Sequence, residues 1–289
     1  MQFGRVDDIS GLDLSLPADH PDTASVLAAS GHTGRFDLAV GHARWARSYL
    51  KDFYPRGTKD ELAYYATRLN AIEMNAFFYR IFPPEQVATW RSKVPADFRF
   101  FPKVPQVISQ FKRLRGAHRQ TEDFVHAIEG FGPHLGDAFL QMHPTFGPEG
   151  LDDLDAFLAD WPDHVTLHVE VRHPGWFEDA AVTDRLYDVL HTHGAGWVLT
   201  DAPGRRDMLH MRLPIPRAFV RFTAAGHPVD EQRLDDWVER LGHWGGQGLE
   251  SAAFFVHQGG DHTSGLLSEA FMRRMDEAHG FALMARFAE

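Results

Sequence analysis

From residue 36 onward the chain alternates short strand-like runs with stretches patterned as helices, and no other feature limits its fold as strongly. The strand runs fall at 37–42, 71–75, 98–103, 138–143, 165–172, 196–201, 218–223 and 252–257. Between most of them, apolar residues recur at helical spacing. Residues 59–69 carry Leu62, Tyr65, Ala66 and Leu69, and residues 179–191 carry Val182, Leu186, Val189 and Leu190. Residues 230–241 and 264–279 read the same way. The link 202–216 holds three prolines and reads as loop. Alternation of this kind builds a mainly parallel sheet with helices outside it. The expected fold class is therefore α/β, and eight strands permit closure into a (β/α) barrel. An open doubly wound sheet is the alternative, but no G-x-G-x-x-G follows the first strand, which weighs against its dinucleotide-binding form.

The length of 289 residues suits one barrel domain, and no repeat or composition break marks a second. Residues 1–35, rich in Asp, Ser, Gly and Pro, are expected as an N-terminal extension, with a short extended segment where Leu12, Leu14 and Leu16 alternate with polar residues. Residues 36–289 are expected as a single domain. Hydrophobic residues make up 44%, with 23 Phe and 7 Trp to fill a core. The absence of cysteine excludes disulfides and thiolate metal sites. No apolar run reaches membrane-spanning length, and the N-terminus lacks a basic region followed by an apolar one, so a cytoplasmic location is expected. A formal net charge of -11 repels phosphate backbones, which disfavours nucleic acid as a bulk partner but leaves room for a local anion pocket.

Strands buried on both faces should be apolar throughout, because successive side chains point to opposite faces. These runs instead end in polar residues. Glu73 and Asn75 share one face of the second run, and Lys103 ends the third. Gln141 and His143 share a face of the fourth, and His168, Glu170 and Arg172 share a face of the fifth. Asp201 ends the sixth, Arg221 sits in the seventh, and His42 and His257 end the first and eighth. In a barrel these ends converge on the mouth where active sites lie. Three carboxylates (Glu73, Glu170, Asp201) would face three permanent cations (Lys103, Arg172, Arg221), a balance that buried charge demands. The bland alternative is a structural ion-pair network. For His168, which lies deeper in its strand, a satisfied core histidine is the favoured reading.

The same segments resemble the YecE-like family, domain of unknown function seventy-two. The matches are V-G-x-x-x-W at 40–45, F-Y-P at 53–55, E-M-N-A-F-F-Y-R at 73–80 and F-R-F-F-P-K at 98–103. They continue with L-Q-M-H-P-T-F at 140–146, V-E-V-R-H-P-G-W-F at 169–177, T-D-A-P-G-R at 200–205 and V-R-F at 220–222. The resemblance implies a TIM-type barrel and brings no settled activity. It places pocket positions at Trp45, Glu73, Asn75, Tyr79, Lys103, Gln141, Glu170, Arg172, His173, Trp176, Asp201 and Arg221. Departures from the family pattern fall at His42-Ala43-Arg44, at Ser109-Gln110 and at His257-Gln258-Gly259-Gly260.

Three chemistries fit this set. The first is an enzyme acting on an anionic or phosphorylated small molecule. Lys103, Arg172 and Arg221 would bind the anion, Glu73, Glu170 and Asp201 would supply acid/base groups, and Asn75, Gln141 and His257 would orient the substrate. The glycine-containing loops Ala224-Ala225-Gly226 and Gly259-Gly260 would together offer amides to phosphate, although for either loop alone an ordinary turn is the favoured reading. The second is a divalent-metal hydrolase or isomerase with Glu170, Asp201, His143 and His257 as ligands, although Lys103 and Arg172 would oppose the cation. The favoured expectation is no cofactor. The third is non-catalytic binding of an anion or nucleic acid, guided by the basic run Lys112, Arg113, Arg115 and Arg119, which otherwise reads as a solvated face.

Overall fold

The computed structural model describes residues 4–50, 53–257 and 264–287. Its strands are β1 (Asp37–His42), β2 (Ala71–Met74), β3 (Arg99–Pro102), β4 (Ala138–Gln141), β5 (Leu167–Glu170), β6 (Gly196–Trp197), β7 (Leu199–Asp201), β8 (Arg217–Thr223) and β9 (Ser251–His257). The helices are α1 (Pro21–Ser30), α2 (Glu61–Arg68), α3 (Ala76–Tyr79), α4 (Pro84–Arg91), α5 (His118–Glu129), α6 (Leu151–Ala159), α7 (Ala180–Thr192), α8 (Val229–Gln247) and α9 (Ser264–His279). The strands form a six-stranded sheet in the order β3-β2-β1-β9-β8-β7 and a three-stranded sheet β4-β5-β6. Every described register is parallel. The chain divides into two compact units, Met1–Ile72 with Leu199–Glu289, and Glu73–Val198.

In the first unit, β1 pairs with β2 at Gly41↔Ala71 and with β9 along its whole length. Gly41 is required by close approach, since a Cβ there would lie 2.0 Å from the Ala71 carbonyl oxygen. The Tyr65 hydroxyl donates to that same carbonyl (2.9 Å) and accepts from the His42 N–H (2.8 Å), tying α2 to the strand ends. Phe254 stacks on Phe271 of α9 at 4.0 Å, and Trp237 and Trp244 of α8 are fully buried.

The first 35 residues depart from expectation. Residues 21–30 are helical: Pro21 sits at the start, the His20 ring accepts from the Asp22 N–H, and Gly31 ends the helix at φ +67°. Of the alternating leucines, Leu14 is buried and Leu12 is exposed.

In the second unit, β3 reaches β4 through the bridges Phe100↔Leu135 and Lys103↔Phe139. Its core is aromatic, with Phe77, Phe98, Phe100, Phe124, Phe131 and Phe139 all fully buried. Gly196 makes room for a polar neighbour, since a Cβ there would lie 2.1 Å from His168 Nδ1. His168 is itself buried and bonds Asp137 through Nε2 at 3.0 Å, the core histidine expected of it.

Candidate functional site

Strand termini carry the polar groups of the second unit. Glu73 ends up fully buried on β2, Lys103 follows β3, Gln141 closes β4, Glu170 closes β5 and Arg172 lies two residues beyond. Four of them form one hydrogen-bonded chain. Lys103 Nζ donates to Gln141 Oε1 at 2.8 Å. The Gln141 amide nitrogen donates to both Glu170 oxygens at 3.2 Å. Arg172 Nε meets Glu170 Oε1 at 2.5 Å. The cation on one side and the carboxylate on the other fix which way the Gln141 amide points. The expectation of a direct carboxylate–cation pair at the strand ends is met by Glu170 and Arg172.

The flanks of this chain are built from the loops that follow the strands. Asn75 donates to Glu73 Oε1 at 2.8 Å. The Lys103 ammonium lies 4.1 Å from the centre of the Phe78 ring, whose neighbour Tyr79 is 65% exposed. After β3 the chain makes a single π-turn, Val107–Phe111, and from it Gln110 donates to the Gln141 carbonyl at 2.6 Å. His143 accepts from the Thr145 N–H (3.2 Å) and meets the Thr145 hydroxyl (2.9 Å). His173 accepts from the Gly175 N–H and turns the loop after β5.

Trp176 is not a lining residue. It is fully buried, stacks on Phe146 and donates to the Phe146 carbonyl at 2.7 Å, so it supports the loop from inside. Trp45, in the first unit, is half-buried, and its carbonyl accepts from the Tyr54 hydroxyl. Burial pushes that phenol up from its usual range.

The first unit holds a separate polar centre around Asp201. One carboxylate oxygen pairs with Arg206 and with Arg233 (2.7 Å), and the other accepts from Trp237 Nε1 at 2.8 Å. Both oxygens are thereby engaged by protein groups, and Asp201 makes no bond to the Lys103–Gln141–Glu170–Arg172 chain among those described. Arg206, Arg233 and Trp237 carried no signal in the sequence. Arg233 also pairs with Asp230 at 2.7 Å. The Asp230 carboxylate in turn accepts from the Ala225, Gly226 and His227 N–H groups at 3.0, 2.9 and 3.4 Å. The amides of the Ala224-Ala225-Gly226 loop are thus bonded to an internal anion. The companion loop Gly259-Gly260 lies outside the described residues. Arg221 is buried in β8 opposite Thr200, and His257 ends β9 half-buried.

Closing β1, His42 is fully buried, with Nδ1 3.1 Å from the Val256 carbonyl and Nε2 2.9 Å from the Ser268 hydroxyl. The carbonyl only accepts, so Nδ1 carries the proton and Nε2 accepts from Ser268. Burial pushes the imidazole down to about 4, the Val256 bond opposes this, and His257 adds to it.

Among the described residues no three His, Asp or Glu side chains gather as a metal site requires. The proposed ligand set Glu170, Asp201, His143 and His257 therefore has no geometric support. The basic run is partly spent on local bonds. Arg115 pairs with Asp153 (2.7 Å), and Lys112 donates to the Gly116 carbonyl (2.9 Å). Among the described residues, no helix is long and apolar enough to cross a membrane.

Parallel strands with helices, and a buried polar relay at the strand C-termini, define the chain as an α/β protein. The chain belongs to the family described as "Protein of unknown function DUF72", whose model matches residues 39–286. It is similar to the UPF0759 protein YecE of Escherichia coli O157:H7 and of Escherichia coli strain K12, at 28% identity over 70% of this chain and 78% of each relative. Two crystal structures of a DUF72 family protein from Enterococcus faecalis V583 align with TM-scores of 0.63 and 0.65 at 19% and 18% identity. They cover 83% and 85% of this chain and 94% and 98% of that one, and at this identity they speak for the fold alone.

Proposed function

We propose that this chain is a TIM-type barrel enzyme that acts on an anionic or phosphorylated small molecule at the strand ends of the second unit. The relay Lys103–Gln141–Glu170–Arg172 carries the reading, because it strings two cations, an amide and a carboxylate across the ends of three neighbouring strands. Barrel interiors are ordinarily filled by branched apolar side chains, so such a string departs from packing practice. Lys103 and Arg172 attract the anion, and the amide of Gln141 orients a polar group. Glu73 and Glu170 hold and move protons, each carboxylate steadied by an amide donor. Asp201 is left out of this machinery because it is bonded to Arg206, Arg233 and Trp237 and not to the relay.

One observation favours a second reading, a structural strut: Glu170 is 0% exposed. The variant Glu170→Gln separates the two, since it keeps the shape and removes the charge. A functional site predicts a melting temperature near that of the parent with loss of ligand binding or turnover. A strut predicts a loss of roughly 3–5 kcal/mol, because the half-buried Arg172 loses the counter-charge of Glu170. A large drop in melting temperature with unchanged ligand affinity would settle the matter against the enzyme.

A further inference from the structure

Among the described residues only three large apolar side chains are markedly exposed: Leu12, Tyr79 (65%) and Phe111 (72%). Two of these are aromatic, and they end the short helical turns that follow β2 and β3, the strands that carry Glu73 and lead to Lys103: Tyr79 ends α3 and Phe111 ends the π-turn. Tyr79 is joined to the relay through rings, since its ring centre lies 5.3 Å edge-on from Phe78, whose face meets the Lys103 ammonium. Phe111 follows Gln110, which holds the Gln141 carbonyl. Exposing a ring in water gains nothing for the fold, and packing contributes nothing to hold Phe111 outward.

A cation lies two residues beyond Phe111. Arg113 adopts φ +48° and Leu114 φ +74°, a left-handed stretch that L side chains seldom take. Leu114 is buried and its N–H donates to the Ile108 carbonyl at 3.0 Å, which anchors the turn. The exposed Arg113 side chain then reaches the Thr145 hydroxyl (2.7 Å) in the loop after β4. Unlike Arg115 of the same run, Arg113 has no carboxylate partner among the described residues. An exposed guanidinium with a neutral partner, and exposed flat rings on the segments that follow neighbouring strands, match a ligand with a planar ring at one end and an anion at the other.

We infer that Phe111 and Tyr79 receive the base, and Arg113 the phosphate, of a nucleotide bound beside the Lys103–Gln141–Glu170 relay. This rests on the reading above that the site takes an anionic small molecule. It narrows that class to nucleoside monophosphates and explains why two strand-end loops display rings.

The test is isothermal titration of the full chain with the four nucleoside monophosphates, ribose 5-phosphate and inorganic phosphate. Saturation-transfer difference spectra of the base protons accompany it, and these need no variant. At least one nucleotide should bind about tenfold more tightly than ribose 5-phosphate, as expected for one stacked base. Phe111→Ala and Tyr79→Ala should remove most of that margin while leaving ribose 5-phosphate affinity alone. Arg113→Gln should weaken both ligands. Equal affinity for nucleotide and sugar phosphate, or a margin untouched by the two aromatic variants, overturns the nucleotide and leaves the anionic-substrate reading standing. If no phosphate compound binds, both fall. An oligonucleotide that binds more tightly than any monomer, with steep salt dependence, would overturn the proposal in favour of single-stranded nucleic acid.

Discussion

His42 shows what one buried side chain imposes. Its folded imidazole titrates near 4, while an unfolded chain binds the same proton near the ordinary value of 6.5. Across that window the unfolded state holds more protons, so stability falls as the pH drops. Between about pH 7 and pH 5 the contribution of this one group is about 2 kcal/mol. His42→Asn should be less stable at neutral pH, because it loses the ring and its bond to Ser268. Its further loss on acidification should nevertheless be smaller than that of the parent. Urea unfolding at the two pH values measures this, and an equal acid-side loss in both proteins would assign the pH dependence elsewhere. The polar character of this position was legible in the sequence, because an imidazole ended an apolar strand. Its burial was not, because Ser268 lies 226 residues away in sequence.

At the level of elements, strands were more legible than helices. All eight strand runs appear within a few residues of their expected bounds, since β-branched and aromatic runs between breakers are a local signal. The sixth is interrupted at Val198, whose N–H turns to the Val169 carbonyl. Helix α1 escaped notice because its Asp, Thr and Ser residues read as loop, although Pro21 and Gly31 mark its ends. The start of α8 holds a feature for which the sequence leaves two readings open, a phosphate site or an ordinary turn. A glycine-containing loop before a helix invites phosphate, but Asp230 from the first turn of the helix occupies those amides. Asp230→Ala should cost about 3 kcal/mol, because Arg233 loses one of its two carboxylates and the N–H groups lose their acceptor. Inorganic phosphate should then restore part of the lost melting temperature in the variant and none in the parent. A variant indifferent to phosphate would show that the loop is shaped by its glycine alone.

For the molecule as a whole, the segment before the family match is bound more closely than an extension needs to be. The Gly4 carbonyl accepts from the Gly204 N–H (2.9 Å), in the loop just after Asp201. Arg206 donates to the Ser15 carbonyl (2.6 Å) with the guanidinium that also pairs with Asp201. Arg240 takes the Pro17 carbonyl (3.0 Å) and the Asp19 carboxylate (2.5 Å), and Trp244 Nε1 reaches Asp19 at 3.1 Å. Three donor side chains that serve the first unit thus complete their bonding on residues 15–19. The family match begins only at residue 39, so the common fold does not supply these partners. A chain starting at residue 21 would retain the residues of α1 without their His20 cap and leave Arg206, Arg240 and Trp244 short of acceptors. At about 1 kcal/mol for each of the two part-buried bonds to Asp19, and less for each of the exposed bonds to Ser15 and Pro17 and the backbone bond to Gly4, the loss is about 3 kcal/mol. For a chain of this size that corresponds to a melting temperature lower by roughly 6–10 °C. The single change Asp19→Ala should account for the larger share, since it removes the acceptor of both Arg240 and Trp244. Differential scanning calorimetry of the truncated chain and of Asp19→Ala decides the point. Melting temperatures within about 2 °C of the parent, less than the shift expected for one lost bond, would mean that the segment lies on the first unit without holding it.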